Sequence, residues 1–139
     1  MHLNQGEINI DIDYIVKYGL EHVCWPELLE RVDNEKEFVS HLIQIFISDN
    51  AARVDEMLLA IDSGQIDRLL KLAHSVKGAA YTVSANNLGR IAKEIETAAK
   101  ESNKLKLDEL AGNVDKEFNI LKEIVATEGW MEILERVTY

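Results

Sequence analysis

His74, Lys77 and Gly78 are the residues of this chain whose types and spacing best suit chemistry. They lie within Leu70-Lys71-Leu72-Ala73-His74-Ser75-Val76-Lys77-Gly78-Ala79-Ala80, which reads as a helix. At about 100° per residue, Ile66, Leu69, Leu70, Ala73, Val76, Ala80 and Val83 share one apolar side. His74 falls roughly 130° from the centre of that side and points toward solvent. Lys77 and Gly78, three and four residues on, neighbour it on the helix surface. A helical glycine costs about 1 kcal/mol relative to alanine. Its simplest gain is room for another macromolecule to approach the ring.

Charge around His74 follows the same logic. From Arg68 to Lys93 there is no Asp or Glu, yet the stretch holds Arg68, Lys71, Lys77, Arg90 and Lys93. The whole chain has 25 acids against 15 bases, so this is a basic window in an acidic protein. A neutral imidazole is nucleophilic, and a reference pKa of about 6.5 leaves much of it neutral near pH 7. Basic side chains stabilise phosphate oxygens and the charge in transfer. The combination suits a phosphoryl group carried on imidazole nitrogen. The plain alternative is an exposed histidine with no role.

The stretch His74-Ser75-Val76-Lys77-Gly78-Ala79-Ala80, continued through Leu88-Gly89 to Ile95-Glu96, resembles the histidine-containing phosphotransfer (HPt) domain. That family has His-x-x-Lys-Gly, then small residues, then a second helix with an apolar residue followed by an acid or amide. The likeness spans roughly Ile10 to Val125. It implies phosphate on Nε2 of His74 and a phosphate-oxygen contact from Lys77. It also implies that Glu96, 22 residues after His74, accepts the Nδ1–H and fixes the tautomer. The family often has glycine where this chain has Ser84 or a neighbour, a departure that bears on the hairpin turn.

The resemblance further implies a phosphorelay intermediate. A receiver-domain aspartate would donate to His74, and another would accept from it. Expected partners are response-regulator receiver domains and a hybrid sensor histidine kinase. The Mg²⁺ belongs to the receiver, so no cofactor of the chain's own is expected, and no ATP-dependent kinase activity either. No Gly-rich nucleotide loop or kinase signature occurs. The rival reading is a non-catalytic helical module that binds receiver or kinase domains without phosphotransfer. Arg68, Lys71, Arg90 and Lys93 are open between phosphate binding, partner docking and simple solvation. Tyr81 either borders a docking surface or seals the hairpin end. Ala73, Ala79 and Ala80 read as packing residues.

The elements that must hold these residues are helical. A first helix is expected over Ile10 to Val23, capped by Asp11 or Asp13, with Trp25-Pro26 breaking or redirecting it. Glu27 to Val32 reads as a further turn. A second helix starts at Asp33 or Asn34, where Asn34 and Glu37 have capping-box spacing. Its stripe is Phe38, Leu42, Ile45, Phe46, Ile47, Val54, Met57, Leu58 and Ile61, ended by Ser63-Gly64. The third runs from about Gln65 to Val83. Ser84 reads as the N-cap of a fourth, about Ala85 to Glu101, with Leu88, Ile91, Ala92, Ile95 and Ala99 inward. After a turn at Ser102-Asn103, a fifth, Leu105 to Thr127, buries Leu107, Leu110, Val114, Phe118, Leu121 and Ile124 or Val125. Gly129 interrupts it, and Trp130 to Val137 forms a terminal turn or short helix. Trp25 and Trp130 are expected to cover the bundle ends.

The expected fold is therefore all-α: an antiparallel four-helix bundle with a short extra N-terminal helix and a short C-terminal one. A chain of 139 residues reads as one domain, 1–139. Its bundle core is about 10–125, its N-terminal arm 1–9 and its C-terminal extension 128–139. The hydrophobic fraction of 47% and charged fraction of 29% are ordinary for a globular protein. Net charge −10 argues against nucleic-acid binding, which rests on neutralising phosphates. One cysteine, Cys24, cannot form an internal disulfide, and no long apolar run or secretory signal is seen. A cytoplasmic monomer away from membranes is expected. His22 with Cys24, and His41 alone, lack a second pair at metal spacing, so no metal site is expected.

Overall fold

A computed structural model describes residues 19–132 of the chain. Five helices organise it: α1 (Trp25–Arg31), α2 (Lys36–Ser63), α3 (Ile66–Thr82), α4 (Asn86–Lys100) and α5 (Lys104–Ala126). Residues 19–22 and 130–132, at the two ends of this stretch, are helical too. The expected arm 1–9, most of the first helix and the end of the C-terminal extension lie outside the described residues.

Turns of two or three residues force successive helices antiparallel. Each of α2 to α5 packs on the next, and α5 closes back on α2, giving an antiparallel four-helix bundle. The core is mainly aliphatic, with Phe46 and Phe118 among its aromatic members. In α3 it takes Leu69, Ala73, Val76 and Ala80, and in α4 Leu88, Ile91, Ala92, Ile95 and Ala99. Those alanines have no side-chain bulk to hold the two helices apart. Trp25 and Trp130 are buried, Trp25 at the start of α1 and Trp130 just beyond α5.

The α3–α4 turn is held from outside by α1. Arg31 donates through Nη1 to the carbonyls of Tyr81 (3.0 Å) and Thr82 (3.1 Å), which end α3 without helical partners. Ser84 Oγ donates to Glu27 Oε1 at 2.7 Å, and Cys24 N–H donates to the Ser84 carbonyl at 2.9 Å. At the opposite end, Gly64 terminates α2 with φ 70°, and Lys104 Nζ donates to the Ile61 carbonyl at 2.9 Å.

Four expectations need correction. Trp25-Pro26 does not break a helix: the break is at Val23-Cys24, and α1 opens on Trp25 with proline in its first turn, where a missing N–H costs nothing. The Asn34–Glu37 capping box does not form. Asp33 and Asn34 take φ 55° and 65°, Glu35 is the N-cap, and no side chain caps α2. Ser84 is not an N-cap either. It sits at φ 58°, the left-handed region that favours glycine, and Ala85 precedes α4. Along α2 the stripe is turned: Phe38 and Ile45 are 47% and 42% exposed, whereas Val39 and Ile43 are buried. The first half of α2 is apolar around much of its circumference, so periodicity cannot choose between the two faces.

Candidate functional site

The site is built on the α3–α4 hairpin. His74 and Glu96 each stand eleven residues from Ala85, so an antiparallel pair brings them level. Burial of Leu69, Ala73, Val76 and Ala80 turns His74 outward, and its side chain is 73% exposed. On α4, Ile95 and Ala99 face the core and carry Glu96 to the seam, where it is mostly buried.

One carboxylate serves two partners. Glu96 Oε1 lies 2.6 Å from Lys77 Nζ, and Oε2 lies 3.5 Å from His74 Nδ1. The second separation is longer than the 2.7–3.2 Å range for N–H···O hydrogen bonds and leaves the carboxylate facing Nδ1 without a bond to it. Burial alone would push the Glu96 carboxyl up. The Lys77 ammonium, and after it the His74 imidazole, outweigh burial and hold it below the ordinary carboxylate range. With Nδ1 turned to Glu96, the Nε2 side of the ring is left toward solvent.

Gly78 has open space where a Cβ would be, with nothing within 4 Å. Among the described residues no contact therefore requires glycine there. Tyr81 lies one turn further along and is 39% exposed. Its ring rests against Gly89 of α4, where a Cβ would fall 2.7 Å from the ring's Cε1. The two residues stand four positions either side of Ala85, on the same seam as His74 and Glu96. The Tyr81 ring thus lies in the seam of the hairpin, and the residue remains partly exposed.

The basic window is less positive in space than in sequence. Arg68 pairs with Glu56 of α2 at 2.7 Å, and Arg90 pairs with Glu94 at 2.7 Å and donates to Asn87 at 2.6 Å. Lys71 and Lys93 are exposed and have no ion-pair partner among the described residues. Of the five bases, these two carry the free positive charge beside His74.

Sequence reasoning missed a second histidine–glutamate pair. His22 Nδ1 lies 2.7 Å from Glu117 Oε2, both buried, and Asn87 Nδ2 donates to Glu117 Oε1 at 2.8 Å. The partners are 95 residues apart, beyond any local signal. Among the described residues no group of three or more His, Cys, Asp or Glu is placed to hold a metal ion. Among them, too, no helix is long and apolar enough to cross a membrane.

A family model described as "Hpt domain" matches residues 41–127, more than half of the chain. The matched span runs from within α2 to the end of α5 and contains His74, Lys77, Gly78 and Glu96. No curated protein and no solved structure gives a significant match.

Proposed function

Because the chain belongs to the Hpt family, whose domains serve histidine phosphotransfer in two-component phosphorelays, we propose that His74 is its phosphoryl-carrying residue. The observation that carries this reading is the exposed imidazole with a carboxylate on its Nδ1 side and a lysine one turn away. The Nε2 lone pair attacks the phosphorus of a receiver's aspartyl phosphate. The bond from phosphorus to the aspartate oxygen breaks, the carboxylate leaves, and an N–P bond forms. The proton stays on Nδ1, and Glu96 on that side closes up on it and balances the positive charge that develops on the ring. Lys77, beside Glu96 in the free protein, shifts toward the phosphate oxygens. Passing the group on reverses these steps, with an aspartate of a second receiver as nucleophile.

In this reading the partners are receiver domains and a hybrid sensor kinase, and the receiver brings the Mg²⁺. The chain adds no cofactor and does not label itself from ATP. It works as a cytoplasmic monomer, one domain over 1–139. Lys71 and Lys93 supply the positive field that meets the acidic surface of a receiver. Arg68 and Arg90 are tied to carboxylates and contribute less.

The test is transfer from a radiolabelled phospho-receiver to the wild-type chain and to His74→Gln. Acid-labile, base-stable label on the wild type and none on the variant is the expected result. Label retained by His74→Gln defeats the assignment. Receiver binding that forms no phosphohistidine and is unaltered by His74→Ala would establish the interaction module instead.

A further inference from the structure

The Tyr81–Gly89 contact reaches beyond the phosphoryl chemistry. Tyr81 is seven residues past His74, two turns along the same face and about 10 Å away along the helix axis. Between them lies Gly78, bare and with open space above it. The surface therefore dips beside the imidazole and rises again at the Tyr81 ring.

Gly89 makes that ring position available. A Cβ at 89 would fall 2.7 Å from Cε1, 2.8 Å from Cζ and 2.9 Å from Cδ1 of Tyr81, so any other residue displaces the ring. Glycine inside α4 weakens the helix, and the hairpin accepts that loss. Sealing the turn alone would favour a fully buried ring, yet 39% of Tyr81 remains exposed. Its main chain is also fixed, because Arg31 binds the Tyr81 carbonyl. A rigid, half-exposed aromatic at the rim of a reactive site has the properties of an interface anchor.

We infer that Tyr81, seated on Gly89, is a docking and specificity residue for the receiver domain that exchanges phosphate with His74. The inference rests on the phosphotransfer reading above. The receiver is the occupant that the surroundings fit. Lys71 and Lys93, exposed and without ion-pair partners among the described residues, suit the acidic phosphorylation pocket of a receiver placed over His74, which brings its surface within reach of the Tyr81 ring. Tyr81 acts on the partner's binding, and His74 performs the chemistry.

The experiment compares two phosphodonors on the full chain. Phosphoramidate, a small donor with no protein surface, reads the reactivity of His74, whereas a phosphorylated receiver reads docking as well. In Tyr81→Ala and Gly89→Ala the ratio of receiver-driven to phosphoramidate-driven labelling falls about tenfold, as expected for loss of an aromatic anchor. Tyr81→Phe, which keeps the ring, retains most of the ratio. Thermal melts confirm that each variant is folded at the assay temperature. An unchanged ratio with a lowered melting temperature would make Tyr81 a hairpin seal only and overturn the inference. Both rates falling together would place its effect on His74 and overturn it too. Failure of the phosphotransfer reading looks different, since the phosphorylated receiver would then leave even the wild-type chain unlabelled.

Discussion

Among the described residues, two histidine–glutamate pairs are built alike and placed in opposite surroundings. In each, one carboxylate oxygen meets imidazole Nδ1 and the other meets a nitrogen of a third residue: Asn87 for Glu117, Lys77 for Glu96. His22 and Glu117 are buried and 2.7 Å apart, and they tie the segment before α1 to α4 and α5. His74 is 73% exposed and 3.5 Å from its glutamate, and both belong to one hairpin. Residue type therefore does not decide the role. Burial turns one pair into a structural clasp, because its groups must satisfy each other away from water. Exposure leaves the other ring in reach of a partner.

Exchanging the histidines breaks the comparison most directly. His74→Gln removes all phosphohistidine and moves the melting temperature little, since the ring makes few contacts. His22→Leu does the reverse. It leaves the Glu117 carboxylate buried with Asn87 alone, at a cost of about 3 kcal/mol. For a domain of this size that lowers the melting temperature by roughly 10 °C, while transfer per folded molecule is kept. Chemical denaturation and receiver-driven labelling of both variants read the two effects separately. Stability untouched in His22→Leu would mean that the buried pair is no clasp.

A smaller effect sharpens the contrast. The exposed site gives up helix stability that the buried one keeps. Gly78→Ala meets no clash in the free protein, so it should stabilise the fold by up to about 1 kcal/mol. The same methyl group fills the dip beside His74 and should slow receiver-driven labelling. A variant that is more stable and equally fast would remove partner access as the reason for this glycine.

How far each pair could be foreseen follows from its construction. α3 and α4 carry their apolar residues at clean helical spacing, so the outward position of His74 and the inward position of Ile95 were legible. Glu96 followed once the two helices were taken as a hairpin about Ala85. Tyr81 and Gly89 obey the same symmetry, but a glycine in a sequence does not announce which ring it admits. Along α2, Phe46, Val54, Met57 and Ile61 lie inward as periodicity indicates, whereas Phe38 and Ile45 do not, because Phe38, Val39, Leu42, Ile43, Ile45, Phe46 and Ile47 crowd all sides. Asn34 and Ser84 have the residue types of side-chain caps, yet both hold positive φ in the turns, a property of the backbone path. The role of Arg68 stays open in the sequence because its partner Glu56 lies on another helix. The His22–Glu117 clasp depends on packing across the whole domain.

The finest distinction concerns what holds the Glu96 carboxylate. Burial pushes its pKa up, and Lys77 and then His74 bring it below the ordinary value of 4.5. A carboxyl whose folded pKa is depressed contributes stability above its unfolded pKa. That contribution is lost as pH falls through the folded value. Lys77→Ala removes the larger of the two opposing influences, so the Glu96 pKa should rise, which carboxyl-carbon NMR reads directly. The variant should also be about 1 kcal/mol less stable at pH 7, a modest loss because the Lys77 side chain is still 26% exposed. The gap should narrow below pH 4.5 as Glu96 protonates in both proteins. A gap that persists unchanged after NMR shows Glu96 protonated in both proteins would trace the loss to packing of the lysine stem rather than to the ion pair. An unmoved Glu96 titration would show that His74 alone holds the carboxylate, making the exposed pair as self-sufficient as the buried one.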